Sequence, residues 1–159
     1  MRPSTLALIL AALTASVSSL SPAYAAGAFY LGKWTIVRAV VAPWADPATR
    51  KLDTAERARL IGKSILFKAH AIAGPPPFAC PGAHYQLTDF APDLLFQGAF
   101  GEMHSNNKAV DPGKIAASLG FHGASTRSLE TGCEFDFHFV DETTAETGLN
   151  DYVYTLKKQ

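Results

Sequence analysis

The sequence predicts a mainly β domain: a small antiparallel barrel or strongly curved sheet with two short helices and one disulfide. Three observations carry this. Phe135, Phe137 and Phe139 alternate with Glu134, Asp136 and His138, the period-two signature of a half-buried strand. Short apolar runs recur along the chain, parted by Gly, Pro, Asn and Asp without regular helical crossovers, which favours turns between strands and hence antiparallel pairing. Two cysteines, Cys80 and Cys133, stand in a chain that begins like an exported one.

The start is short and specific. Arg2 is basic, Leu6 to Leu13 is an apolar run, and Ser16, Ser18, Ser19, Ser21 and Pro22 end it. Ala23-Tyr24-Ala25 has the small-x-small pattern of a signal peptidase site, so residues 1–25 read as a signal peptide and Ala26 as the first mature residue. The apolar run is far below the about 20 residues that span a bilayer, and no later stretch reaches that length. No lipobox cysteine lies near the cleavage point. The mature part, 26–159, has the size of one domain and an ordinary globular composition. Arg2 falls in the leader, which leaves 13 of the 14 basic residues against 14 acidic ones, a net charge of −1. No basic stripe or aromatic–basic cluster appears, which argues against nucleic acid. The two cysteines lack the Cys-x-x-Cys spacing of a redox pair. Joined as a disulfide they close a loop of 53 positions, and the chain-entropy model puts that closure at about 4 kcal/mol.

Each element follows from local signals. Phe29 to Val41 reads as the first strand, with Trp34, Ile36 and Val40 on one face and Arg38 interrupting them; Pro43 stops it. Asp46-Pro47 opens a turn. Asp53 and Glu56 resemble a capping box for a helix running to about Ile61, which Gly62 ends. Ser64 to Ile72 reads as one strand. Gly74-Pro75-Pro76-Pro77 is a stiff loop leading to Cys80. His84 to Leu87 reads as a short strand, and Pro92 to Phe100 as one or two helical turns burying Leu94, Leu95 and Phe96. Gly101 to Lys108 reads as a polar loop. Asp111-Pro112 starts a second helix that Gly120 ends. Thr126 to Glu130 is a strand, the Phe135–Phe139 alternation another, and Asp141 to Thr144 a turn. Ala145 to Leu149 or Asp151 to Leu156 supplies the last hairpin partner, with Tyr152, Tyr154 and Leu156 on one side. The total is six to eight strands and no repeat.

The chain's catalytic motifs are incomplete or absent. Gly62-Lys63-Ser64 looks like the end of a phosphate loop, but Arg57 stands where that loop needs glycine, and the helix precedes the strand. Gly-x-Ser-x-Gly is absent. Glu134, Asp136 and His138 would share one strand face and, with His84, His104 or His122, form a candidate metal or acid–base group. The default reading of the alternation is plainer: three phenylalanines in the core, three polar residues in water. No catalytic residue, metal site or cofactor is assigned.

Phe29-Tyr30-Leu31-Gly32-Lys33-Trp34 carries Gly-x-Trp at the entry to the first mature strand. It resembles the first signature of lipocalin-like (calycin) barrels. The resemblance implies that Trp34 plugs the barrel base and that a late basic residue, Lys157 or Lys158, lies across its ring, a contact worth ~0.5–2 kcal/mol. Asn150-Asp151-Tyr152 resembles a second lipocalin signature, although too few residues follow for that family's remaining strands. Exported inhibitors of bacterial metalloproteases also open a small barrel with Gly-x-Trp.

The resulting expectation is a non-enzymatic binding protein of the cell envelope, periplasmic or secreted. One mode holds a small apolar ligand in the barrel, lined by Trp34, Phe67, Phe135, Phe137 and Phe139. The other contacts an extracytoplasmic protease or cell-wall hydrolase through loops, at Pro76, Phe78, Glu102 and His104. The abundance of large aromatics leans toward a filled interior.

Overall fold

Among the described residues, 28–159 of the computed structural model, eight strands pair into one antiparallel sheet. In chain order the elements are β1 (Gly32–Val41), α1 (Thr54–Leu60), β2 (Ser64–Lys68), β3 (Ala71–Ala73), β4 (Gln86–Phe90), α2 (Leu95–Asn106), α3 (Pro112–Ser118), β5 (Thr126–Glu130), β6 (Phe137–Asp141), β7 (Thr144–Leu149) and β8 (Tyr152–Lys158). The signal peptide reading falls on 1–25, outside the described residues. The strand order is β3-β2-β1-β8-β7-β6-β5-β4. Every chain-consecutive pair is bonded except β3 and β4, and the last strand pairs with the first. The sheet is therefore a meander curled into a half-barrel, joined through β1 and β8 and open between β3 and β4.

The chain that crosses the opening partly fills it. Cys80 and Ile72 of β3 exchange backbone bonds of 2.7 and 2.8 Å. His84 N–H then donates to Thr131 C=O, just past β5, at 2.8 Å. The Cys80–Cys133 disulfide, Cα atoms 6.5 Å apart, ties the same two sides. The expected bridge is present, and it lies against the interior core.

Each face of the sheet has its own apolar core. The concave interior holds Trp34, Ile36, Phe67, Phe78, Leu129, Phe137, Phe139, Tyr154 and Leu156. On the outer face, α2 and α3 pack Leu95, Phe96, Phe100, Ala116 and Phe121 against Ala42 and Val153. Burial of side chains of this size contributes about 1.5–3 kcal/mol each, which is what holds a curved sheet to a helical layer.

Several sequence expectations are corrected. There are three short helices, not two: the expected Gly101–Lys108 loop continues α2 as far as Asn106, with Glu102 and His104 on it. Ser64 to Ile72 is a hairpin, β2 and β3, turning at Ala69-His70. The short strand starts at Gln86 rather than His84. Leu94 is half exposed, while Leu95 and Phe96 bury. Both proposed last strands form, as β7 and β8. In β1 a register shift between Ile36 and Arg38 inserts one residue. The period-two phase reverses there: Trp34 and Ile36 face the interior before it, Ala39 after it, and Val40 joins the outer core. Arg38, which broke the pattern in the sequence, marks that bulge.

Candidate functional site

The five rings expected to line a cavity are buried, and four of them, Trp34, Phe67, Phe137 and Phe139, pack on one another. Phe67 meets Phe137 at 4.8 Å between centroids, Trp34 meets Phe139 at 5.8 Å and Phe67 at 6.3 Å, all edge-on or tilted. Phe78, expected on the surface as a partner contact, is buried instead. It inserts beneath the proline loop against Phe135, at 5.0 Å, and Phe137, at 6.4 Å. Pro76 is exposed, and its carbonyl accepts from Arg59 of α1 at 3.0 Å. Glu102 is exposed on α2, and His104 Nδ1–H donates to Val110 C=O at 2.7 Å. The four candidates thus fall in two places, the proline loop and α2, and Phe78 is not at the surface. At the base of the curl the Trp34 indole N–H donates to Tyr30 C=O at 2.8 Å. Lys158 Nζ lies 5.9 Å from that ring's centroid and donates to Phe29 C=O.

Glu134, Asp136 and His138 do not share a strand face, because the ladder of β6 begins only at Phe137. Glu134 is exposed, Asp136 half-buried and His138 fully buried under α2. Among the described residues, no three His, Cys, Asp or Glu side chains gather as metal ligands. His138 belongs to a different set. Strand registers align Ser128, His138, Glu146, Thr155 and Arg38 in one row across β5, β6, β7, β8 and β1. His138 Nε2 accepts from Phe96 N–H at 2.9 Å. Its Nδ1 therefore carries the proton and donates to Ser128 Oγ at 2.7 Å. Burial holds its pKa down at about 3. Glu146 accepts from Thr155 Oγ1 at 3.1 Å and lies 3.9 Å from the exposed Arg38 guanidinium; its second oxygen is buried without a partner. Burial pushes its pKa up to about 7.

The bond from Phe96 explains what the buried histidine does. Phe96, Gln97 and Gly98 are all left-handed, with φ of 52°, 59° and 82°, so α2 becomes a right-handed helix only after them. For the two non-glycines such a conformation costs roughly 1–2 kcal/mol each and persists only where the surroundings enforce it. His138 holds the Phe96 N–H from inside, and Gln97 Nε2 donates to Glu134 C=O at 2.7 Å from outside.

This turn forms one wall of an open cleft of about 250 Å³. Beside it stand Trp44, whose ring centroid lies 5.3 Å from that of Phe96, and the end of β7. Trp44 Nε1–H donates to Asn150 C=O at 2.9 Å, and its ring lies on Gly148, where a Cβ would meet the indole at 3.0 Å and Phe96 at 3.2 Å. Glycine is thus what lets the two rings approach the strand. The Asn150 turn is pinned on both sides: Asn150 Nδ2 donates to Glu56 at 3.0 Å, and Arg50 pairs with Asp151 at 2.7 Å. The third wall is the connection Glu134-Phe135-Asp136. A second hollow of about 150 Å³ adjoins it across Glu134 and Phe135 and reaches the disulfide. Burial and the nearby Glu130 raise the Asp136 carboxyl above the usual range, against a backbone bond from Thr131 that lowers it. Of the expected site residues, the cleft gathers only Phe135, with Glu134, Asp136 and His138 of the candidate polar set. Trp44, Gln97, Gly148 and Asn150 were missed; the available signal was an aromatic, Trp44, standing just past the proline that ends a strand. No protein-family model, curated protein or solved structure matches the chain.

Proposed function

We propose that the protein is a non-enzymatic binding domain that acts outside the cytoplasm and recognises its partner at the outer cleft beside Trp44. The carrying observation is the packing of Trp34, Phe67, Phe137 and Phe139 on one another, which fills the concave interior at the place where an apolar ligand would sit. Of the two modes open from the sequence, surface contact is favoured over an internal ligand. The disulfide supports a periplasmic or secreted location, and no helix among the described residues is long and apolar enough to cross a membrane. Gly32 and Trp34 with Lys158 over the indole support a calycin-like origin for the curl. The cleft suits recognition because its walls are pinned, which lowers the entropy cost of binding.

The test is native mass spectrometry of the mature protein purified gently from its own envelope fraction. A stoichiometric complex that survives purification and is lost in Trp44→Ala, with the fold intact by circular dichroism, is the expected result. A discrete apolar adduct, insensitive to Trp44→Ala and lost in Phe67→Ala, would overturn the reading in favour of an internal carrier.

A further inference from the structure

The walls of the cleft state what kind of group it takes. Its lining includes the acidic residues Glu134 and Asp136 and no lysine or arginine. The one basic side chain there, His138, has both ring nitrogens engaged inside the protein and stays neutral. A charged occupant is therefore favoured only if it is a cation. The rest of the lining sets the apolar Trp44, Phe96, Phe135 and Leu149 beside the uncharged polar residues Gln97, Thr147 and Asn150. Trp44 has spent its indole N–H on Asn150, so what it offers a ligand is its ring, which attracts cations and packs on methylene groups. Size restricts the choice further. A volume of about 250 Å³ lies below the roughly 300–1,000 Å³ of sites for drug-sized ligands. It fits a group the size of one side chain.

We propose that the cleft binds a primary ammonium or guanidinium group carried on a short apolar stem. The stem packs on Trp44 and Phe135, and the charge is met by Glu134 and Asp136. The inference rests on the reading of this cleft as the recognition surface and adds the class of its ligand. A free aliphatic diamine and a lysine or arginine side chain of a protein present the same chemistry. Because burial raises the Asp136 carboxyl, affinity should increase as the pH rises through its titration.

Amide and indole N–H NMR spectra of the mature, disulfide-bonded protein provide the test. The probes are N-acetyl-lysine methylamide, N-acetyl-arginine methylamide and 1,4-diaminobutane, with N-acetyl-norleucine methylamide as the neutral match. The cationic probes should shift the Trp44 indole and the Gly148 and Asn150 amides saturably. Asp136→Asn should weaken them at least tenfold, and added salt should weaken them in the wild-type protein, which keeps the test valid if the variant misfolds. Tighter binding of the diamine than of the acetylated amino acids assigns a free amine; the reverse order assigns a protein side chain. The proposal is overturned if the norleucine compound shifts the same signals equally, or if no cationic probe shifts them. Loss of the envelope complex in Trp44→Ala would still stand in either case, so charge selectivity and use of the cleft fail separately.

Discussion

His138 and Glu146 are neighbours in the buried row, and burial moves them in opposite directions: His138 from 6.5 to about 3, Glu146 from 4.5 to about 7. When the chain unfolds, His138 takes up a proton below pH 6.5. Its contribution to stability is complete above that value and is lost as the pH falls toward 3. Glu146 keeps its proton in the folded chain up to about pH 7, whereas the unfolded chain releases it near 4.5. Its contribution is complete below 4.5 and is lost as the pH rises to 7. Where these windows overlap, from pH 4.5 to 6.5, folded and unfolded chains hold the same number of protons on this pair, so the two opposite slopes cancel. In Glu146→Gln only the histidine remains. Relative to wild type, the stability of the variant should then climb with pH by up to about 1.4 kcal/mol per unit across that window. Urea denaturation at pH 4.5, 5.5 and 6.5 measures it, and parallel profiles would show that Glu146 does not hold its proton there. The same row fixes the left-handed turn at Phe96, so a residue that looks like a surface ligand in sequence acts as an internal support.

Among the elements, the opening between β3 and β4 is where the fold depends most on covalent chemistry. β3 is three residues long, pairs with β2 and at Ile72 with Cys80, and accepts one side-chain bond, from the Tyr85 hydroxyl to Ala71 C=O; β4 ends the sheet with Leu87 exposed. The disulfide spans 53 positions there. Replacing both cysteines with serine should lower unfolding free energy by about 4 kcal/mol. Hydrogen exchange should quicken first at Ile72, Cys80→Ser and His84, while β1, β7 and β8, paired on both sides, keep their protection. Uniform loss of protection across all eight strands would show instead that the bridge supports the whole sheet. The bulge in β1 is a second device at this scale. It lets one strand serve the interior core at Trp34 and Ile36 and still place Arg38 at the end of the polar row beside Glu146.

For the molecule as a whole, the two tryptophans have separate duties. Trp34 is fully buried at the centre of the interior core, and Trp34→Ala should cost about 3–5 kcal/mol. Trp44 is half-buried at the cleft. Its replacement by alanine removes one packed ring and one hydrogen bond, and should cost about half as much or less while the sheet keeps its spectrum. Chemical denaturation of both variants checks the contrast. Equal losses would mean that the cleft is part of the stabilising core, and its role in binding would need another explanation.

The sequence by itself determined the mainly antiparallel β class, the disulfide, the first and last helix starts and the alternation that buries Phe137, Phe139, Tyr152, Tyr154 and Leu156. These follow from local periodicity, capping residues and compartment chemistry, which act over a few residues or on the whole composition. Trp34 and a late lysine were singled out by the resemblance of Gly32-Lys33-Trp34 to a calycin signature. What only the tertiary structure decided depends on contacts between distant segments. The outer helical layer covers His138, so a polar residue at a water-facing phase became buried. One inserted residue reversed the phase of β1. Phe78 entered the core because the disulfide and the proline loop fold over the opening. The cleft joins residues from positions 44, 97, 134 and 148, and no local pattern links them, since it is the pairing of β6, β7 and β8 with a left-handed turn of α2 that brings them together.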